Sequence, residues 1–465
     1  MGRENKKIRI SLVVFGDILI IFSSYVASYT LRFGTLSGVS DYFPPVLFIL
    51  LVAAYLVVFY FLDLYSFPLR SGPISLFFQI VLATAIASLI VLATKYILFL
   101  FPIGRGILVL ANLLIIILVY GWRNLSRAAF RLFLKPQAVL VIGTGAPALS
   151  IGRIIAEHEP EYDFLGYLAG GREGDQTGET ALDDKVLGAP PDLARIIDRH
   201  GVNLIILSEA SVQNEQLNRR LLDAQLKAVE IVGIVEMYER LTGRIPIGHI
   251  EGEDWFIKTK GFSFANNHIV NRLKRSMDLV IATTALIVSL PLWPIIALLI
   301  RIDSKGAVFY RQTRIGKKES VFWLLKFRSM IEGAEEHEPL WARKDDQRIT
   351  KVGRFLRKLH LDELPQLWNI LRGDMSLVGP RPERPEFVET LKMEIPYYAL
   401  RHSVKPGLTG WAQINYPYAA SSEDSRQKLE YDLYYISHMS FLLDLRILAR
   451  TGKGLLFGSP KKRAA

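Results

Sequence analysis

The chain has no cysteine among its 465 residues. Disulfides, thiolate metal sites and cysteine nucleophiles are therefore excluded, and nothing in that absence argues against a cytosolic working face. Charge is also scarce. Asp, Glu, Lys and Arg make up 22% of the sequence, half of it is hydrophobic, and the mean hydropathy is +0.24. That composition excludes wholesale disorder and is high in apolar residues for a protein that must show water a polar surface. The charge present leans one way: 56 Lys and Arg against 45 Asp and Glu leave a formal +11. This suits anionic lipid, nucleotide or nucleic acid alike, and the motifs below point to no nucleic-acid partner. The length predicts two to four folding units.

Four stretches near the start meet or approach the roughly 20 apolar residues that a membrane span needs. They are residues 10–31, broken only by Asp17, then 43–62, 73–94 and 106–122. The first is longer than the apolar region of a signal peptide and has no small-residue cleavage site before Arg32, so it is expected to stay in the mature protein. Arg3, Lys6, Lys7 and Arg9 precede it, and Arg123, Arg127, Arg131 and Lys135 follow the fourth, which puts both ends in the cytoplasm. Asp17 is read as bonding a neighbouring helix and Lys95 as snorkelling, with an intramembrane site as the alternative.

A fifth apolar run, residues 279–300, carries no charge. Arg272, Lys274 and Arg275 precede it and Arg301 and Lys305 follow, so both flanks are assigned to the cytoplasm. Pro291 and Pro294 stand at its middle, where each removes a backbone donor and bends the helix. The expectation is a re-entrant helix over 277–301 that enters and leaves by one face, with protein or water meeting the freed backbone groups. A plain kinked span, the alternative, would strand the polar C-terminal residues away from cytosolic nucleotides.

From residue 138 the pattern becomes strand, turn, helix. Apolar runs at 138–142, 164–169, 202–207 and 229–235 alternate with helical patterns at 191–200 and 214–227, which predicts a parallel α/β sheet of Rossmann-like type. Gly143-Thr144-Gly145-Ala146-Pro147-Ala148 fits G-x-G-x-x-A between a strand and a helix. No acidic residue stands at a strand end about 20 positions on, Pro147 interrupts the turn, and no Tyr-x-x-x-Lys pair of the epimerase type occurs between 137 and 260. Ligand sensing or a packing scaffold is expected here rather than dinucleotide chemistry.

The last third carries the chemistry-bearing residues. Two strands end in cations, one with Arg311 and Arg314, the other with Lys326-Phe327-Arg328-Ser329-Met330. Asp362 and Glu363 follow at an apparent helix start, where orphan amides and the helix dipole favour an anion or a phosphate; a plain capping role for Asp362 fits the spacing equally well. Gly373 to Glu383, including Asp374, is too rich in breakers for regular structure and presents Arg381 from a rigid loop, suited to a phosphate fork. A second such loop, Lys405-Pro406-Gly407-Leu408-Thr409-Gly410-Trp411, offers an indole that either packs or meets a base or sugar.

In this order the Lys326-Phe-Arg-Ser-Met330, Leu361-Asp-Glu-Leu-Pro-Gln366, Ser376-Leu-Val-Gly-Pro-Arg-Pro382 and Pro406-Gly-Leu-Thr-Gly-Trp411 motifs resemble the bacterial sugar transferase family, the polyprenyl-phosphate hexose-1-phosphate transferases. The whole chain is similar to long members that initiate exopolysaccharide or O-antigen repeats, and its middle domain to the exosortase-associated branch. The resemblance implies a membrane protein of α plus α/β class, with a four-helix transmembrane domain at 1–135, the Rossmann-like domain at 136–262 and a monotopic catalytic domain at 271–458. It further implies that Asp362 attacks the β-phosphate of a UDP-hexose, expels UMP and holds the phosphosugar until undecaprenyl phosphate takes it, with Mg²⁺ at Asp362. Glu363 would assist, Lys326, Arg328, Arg381 and Arg311 would contact phosphate, and Asp374, Glu383 and Trp411 would be further substrate contacts. One departure stands at the bend, where the family often has Ser-Pro and this chain has Leu290-Pro291 with Ser289 one place earlier. The expected location is the bacterial inner membrane, with the middle and catalytic domains at the cytoplasmic face and a homodimer as in long relatives. A membrane-anchored regulator or scaffold that binds sugar nucleotide without turnover is the alternative; a broken Asp-Glu pair would favour it, and this sequence keeps the pair.

Overall fold

Uninterrupted Leu, Ile, Val, Ala and Phe satisfy their backbone groups internally as helix, and the N-terminal third takes that course. The computed structural model describes residues 2–62, 64–65, 73–98, 104–133, 136–143, 145–158, 162–169, 186–208, 215–249, 268–333, 346–416 and 421–457. Two compact units divide the chain, Met1–Ile234 and Val235–Ala465.

The first unit opens with α1 (Gly2–Phe33), α2 (Pro45–Phe61), α3 (Pro73–Leu98) and α4 (Arg105–Phe133). Three of them are long and apolar enough to cross a bilayer, over Arg9–Phe33, Leu76–Tyr96 and Arg105–Ala129, while α2 is apolar but only 17 residues long. The Asp17 carboxylate of α1 does bond a neighbouring helix: it accepts from Arg123 of α4 at 2.6 Å and from the Tyr65 hydroxyl at 2.8 Å, with all three side chains buried. Arg123, counted above as a flank charge, is therefore used inside the helix group.

A five-stranded parallel sheet follows in the same unit. Its strands are β1 (Gln137–Ile142), β2 (Tyr162–Leu168), β3 (Val186–Gly188), β4 (Leu204–Leu207) and β5 (Glu230–Gly233), in the order β3-β2-β1-β4-β5. Helices α5 (Ala146–His158), α6 (Leu193–His200) and α7 (Glu215–Leu226) alternate with them, as the apolar runs predict. Central strands buried on both faces need continuous rather than alternating apolar residues, and β1 and β4 supply them. Gly143 leaves β1 at φ +115°, a region glycine enters freely, and donates its N–H to Leu168 at 2.8 Å. Thr144 of this turn lies outside the described residues.

The second unit takes in nearly all of α8 (Ile234–Thr242), and then two apolar helices, α9 (His268–Ser289) and α10 (Leu292–Asp303), that meet at 61°. The break falls at Leu290-Pro291. Ser289 Oγ donates to the Leu286 carbonyl at 3.1 Å and accepts from the Trp293 indole at 3.3 Å, so this serine acts locally at the bend. Pro294 sits in the first turn of α10, where a missing N–H costs no helical bond. Lys274 and Arg275 of α9, read above as flank charges, turn into the protein. Lys274 Nζ meets Asp444 at 2.6 Å and the Tyr435 hydroxyl at 3.1 Å, and Asp278 accepts from the Leu377 amide at 3.0 Å.

An antiparallel ribbon, β6 (Phe309–Ile315) and β7 (Val321–Phe327), comes next, then helices α11 (Lys351–Lys358) and α12 (Gln366–Arg372). Two short parallel strands, β8 (Ser376–Val378) and β9 (Gly407–Thr409), flank α13 (Pro385–Glu394). After them come α14 (Trp411–Asn415), α15 (Ser422–Ser437) and α16 (Phe441–Phe457). Leu367, Ile370, Leu377, Leu433, Ile436 and Ile447 are among the buried core residues that hold this unit together.

Asp444 is 1% exposed, and removing one partner of a buried ion pair leaves the other charge uncompensated. Lys274→Met is expected to lower the unfolding free energy by about 3–5 kcal/mol, and adding Asp444→Leu to recover most of it. Denaturant titration of the single and double variants in detergent checks both.

Candidate active site

The ribbon register sets which cations can meet. Tyr310 pairs with Lys326 and Arg311 with Leu325, so Lys326 and Arg311 project from opposite faces. Arg311 is exposed, whereas Lys326 points inward. The outer edge of β7 is closed by one side chain of α12: Asn369 donates to the Trp323 carbonyl at 2.7 Å and accepts from the Leu325 amide at 3.0 Å. Asn369 is 2% exposed, and it fixes the strand immediately before Lys326.

The Asp362-Glu363 pair does not start a helix. It occupies a 3-10 turn, Leu361–Glu363, between α11 and α12. His360 turns the chain at φ +55°, and Pro365, unable to donate, defers the next helix to Gln366. Neighbouring residues of such a turn diverge by about 120°, so the two carboxylates face different surroundings. Asp362 is 6% exposed. No hydrogen bond from the described residues reaches its carboxylate. Glu363 is fully engaged, with Arg381 at 3.1 Å, Lys326 at 3.5 Å and the exposed imidazole of His360 at 4.0 Å.

These surroundings separate the two acids. Burial pushes Glu363 up, but Arg381 and Lys326 together outweigh it and hold the carboxyl at about 2. Burial raises Asp362 above the ordinary aspartate value, against the pull of Lys326. Burial also lowers Lys326, opposed by Glu363. The pair therefore has one ionised member clamped by cations and one carboxyl without a hydrogen bond from the described residues.

Arg381 is delivered by a crossing of two glycine-rich segments. The Gly379 amide donates to Thr409 at 2.9 Å and the Gly407 amide to Pro380 at 2.8 Å. A Cβ on Gly379 would strike the Lys405 carbonyl, and one on Gly407 the Gly379 backbone. Only glycine lets the backbones approach this closely. Arg401, 6% exposed and paired with Asp432 at 2.9 Å, donates to the Arg381 carbonyl at 3.0 Å and locks that loop.

Most of the remaining sequence candidates are held elsewhere, whereas the Glu383 carboxylate acts electrostatically on Arg381. Arg328 is buried and braces the end of α10, donating to the Ser304 carbonyl at 2.8 Å and hydroxyl at 3.0 Å. Its Nε and Nη1 are buried without a hydrogen-bond partner among the described residues. Asp374 accepts from Asn369 at 3.2 Å just beyond the end of α12. Glu383 contributes its carbonyl to the Ile315 amide at 3.0 Å. The Trp411 indole is buried, donates to the Gly243 carbonyl at 2.7 Å and stacks on Tyr434, which is a packing role. Asn369 and Arg401 carry no signal in the sequence, and Arg314 shows there only as a strand-end cation beside Arg311. The last of these shares the Lys326 face by register, a period-2 signal that becomes legible once the ribbon is paired.

Residues 269–458 match the family described as "Bacterial sugar transferase". Over 240 residues the chain is 41% identical to a UDP-N-acetylgalactosamine-undecaprenyl-phosphate N-acetylgalactosaminephosphotransferase of Aeromonas hydrophila, covering 52% of this chain and 55% of that one. It is 44% identical over 185 residues to a UDP-glucose:undecaprenyl-phosphate glucose-1-phosphate transferase of Escherichia coli K12, covering 39% and 40%. An uncharacterized sugar transferase of Bacillus subtilis is 42% identical over 184 residues, which are 40% of this chain and 87% of the relative. The matches to the first two thus span only about half the length of those proteins.

A carboxyl raised above its unfolded value costs stability as pH rises through its folded value, and none below the unfolded one. Asp362→Asn is therefore expected to melt above the parent at pH 7, with the difference vanishing as pH falls towards 4. Melting curves of both proteins from pH 4 to 8 check this, and equal curves at pH 7 would contradict the burial argument.

Proposed function

Because this chain belongs to the bacterial sugar transferase family, we propose that it moves a sugar-1-phosphate from a UDP-sugar to undecaprenyl phosphate through a phosphosugar held on Asp362. The observation that carries the reading is the division of labour in the turn: Glu363 gathers Lys326 and Arg381, while the neighbouring Asp362 carboxyl is bonded to nothing among the described residues. An Asp362 oxygen attacks the β-phosphorus, the bond between that phosphorus and the bridging oxygen breaks, and UMP leaves with the bridging oxygen. A phosphate oxygen of the lipid then attacks the same phosphorus and frees Asp362.

Phosphoryl transfer of this kind depends on positioning and on neutralising the phosphate oxygens. Lys326 and Arg381 stand ready for that, with Glu363 holding them in place before substrate arrives. No cluster of three or more His, Asp or Glu side chains is present among the described residues. The Asp362 carboxylate, which accepts no hydrogen bond from the described residues, fits Mg²⁺, which commonly takes one or two carboxylates and fills its shell with water and substrate phosphate. Asp362 would hold it, and it would add charge neutralisation at the diphosphate and favour the ionised carboxylate. The relatives' names contain both glucose and N-acetylgalactosamine, so the donor is proposed as a UDP-hexose or UDP-N-acetylhexosamine.

The reaction belongs at the cytoplasmic face of the inner membrane, where UDP-sugars are made. We read α1 to α4 as four crossings and the bent α9–α10 pair as a re-entrant element, supported by the exposed Val280, Ile287, Val288, Ile295, Leu298 and Ile302 along its length. Asp362→Asn is expected to abolish the covalent adduct and to reduce UMP release by at least ~10³-fold. Purified protein assayed with undecaprenyl phosphate and a panel of UDP-sugars tests this, and chelation with EDTA should stop the parent enzyme. An adduct retained by the Asn variant sinks the proposal.

A further inference from the structure

We propose that the bent α9–α10 pair sets the position of the Asp362-Glu363 turn through two polar ties, making Arg275 and Asp303 positioning residues for transfer to the lipid; the proposal rests on the function just given. Each helix flanking the turn has one end held by a different arm of the pair. On the downstream side, the last carbonyls of α12 are short of helical partners, and Ile370 has only the shared Gly373 amide at 3.1 Å. Arg275 of α9 takes two of them, donating to Ile370 at 2.6 Å and Leu371 at 2.8 Å. On the upstream side, the first amides of α11 are the orphans. Thr350 Oγ caps Gly353 at 2.9 Å, and the Val352 amide donates to Asp303 Oδ2 of α10 at 2.8 Å.

The signs also suit the helix ends. A guanidinium lies at a C-terminus and a carboxylate at an N-terminus, which is the favourable orientation for both dipoles. Between the two ties the chain has little slack, since His360 is held in the left-handed region and Pro365 fixes its own φ. The arms carry the large exposed apolar side chains and the turn carries the reacting carboxyl. A shift of either arm in the lipid is therefore passed to Asp362 through a helix end. Donor chemistry draws on Asp362, Glu363, Lys326, Arg381 and the proposed Mg²⁺, and the Arg381 loop has a support outside α9 and α10 in Arg401. Acceptor chemistry additionally needs the turn at the depth of the lipid phosphate.

The absence of cysteine permits a direct test. Lys358→Cys, at the exposed end of α11, is labelled with a fluorophore in full-length protein in vesicles of phosphatidylethanolamine and phosphatidylglycerol, and its depth is read by quenching with lipids brominated at known positions. Arg275→Met and Asp303→Ala are expected to shift that depth, and Arg275→Lys, still able to donate to one carbonyl, to shift it less. In the same vesicles without the label, both disruptive variants should form the phosphosugar adduct within about three-fold of the parent yet transfer it to undecaprenyl phosphate at least ~10-fold more slowly. An unchanged depth, or adduct formation and transfer falling together with the melting temperature, reduces both residues to structural ties and overturns the proposal. If the parent forms no adduct, the proposed function fails, and the depth measurement still decides whether these residues position the turn.

Discussion

The second unit is organised around one partly buried carboxylate. Glu363 draws Lys326 from a ribbon, Arg381 from a glycine-rich crossing and its own turn into a single cluster. Without it the two cations would repel each other in a partly buried setting, and without them its burial would be prohibitively unfavourable. Three segments with no sequence neighbourhood are thereby held in register before any substrate is present. Asp362 gains from this indirectly, since it lies beside one carboxylate and two cations, a net +1, and accepts no hydrogen bond from the described residues.

The other short motifs of the second unit serve that cluster through backbone contacts rather than through side-chain chemistry. Gly379 and Gly407 are small so that two strands can cross and present Arg381. Trp411 closes a packing contact against Gly243, and Asn369 occupies the open edge of β7 with both ends of its amide. Several residues that look like ligands in one dimension are thus the fittings that keep the ligands still.

Much of this was legible in the sequence, and the reasons for the rest are specific. Continuous apolar runs announced the parallel sheet, because buried strands have no polar face to alternate with. Arg381 stands out because a cation between Gly and Pro breakers has few structural uses, whereas Asp362, Glu363 and Lys326 take their roles from motifs that resemble the family. Arg311 and Arg328 could not be told apart from Lys326 by spacing, since their faces depend on a strand pairing that forms only in three dimensions. Lys274, Arg275 and Arg123 were counted as flank charge by a rule that assumes exposed cations, whereas their partners Asp444, Ile370 and Asp17 lie far off in the chain. The pair Asp362-Glu363 was placed at a helix start, and Pro365 moved that start beyond it.

The Asp17–Arg123 pair bears on how the protein is made. The two residues are 106 positions apart, one in the first helix and one in the last of the N-terminal group. At synthesis rates of about 5–20 residues per second, α1 carries a naked carboxylate for roughly 5–20 s before its guanidinium exists. An apolar surround tolerates such a charge poorly. Until the fourth helix is made, the first therefore lacks the guanidinium that pairs with its carboxylate. The salt bridge thus ties the first helix to the last of the group, and it is complete only once the fourth has been made.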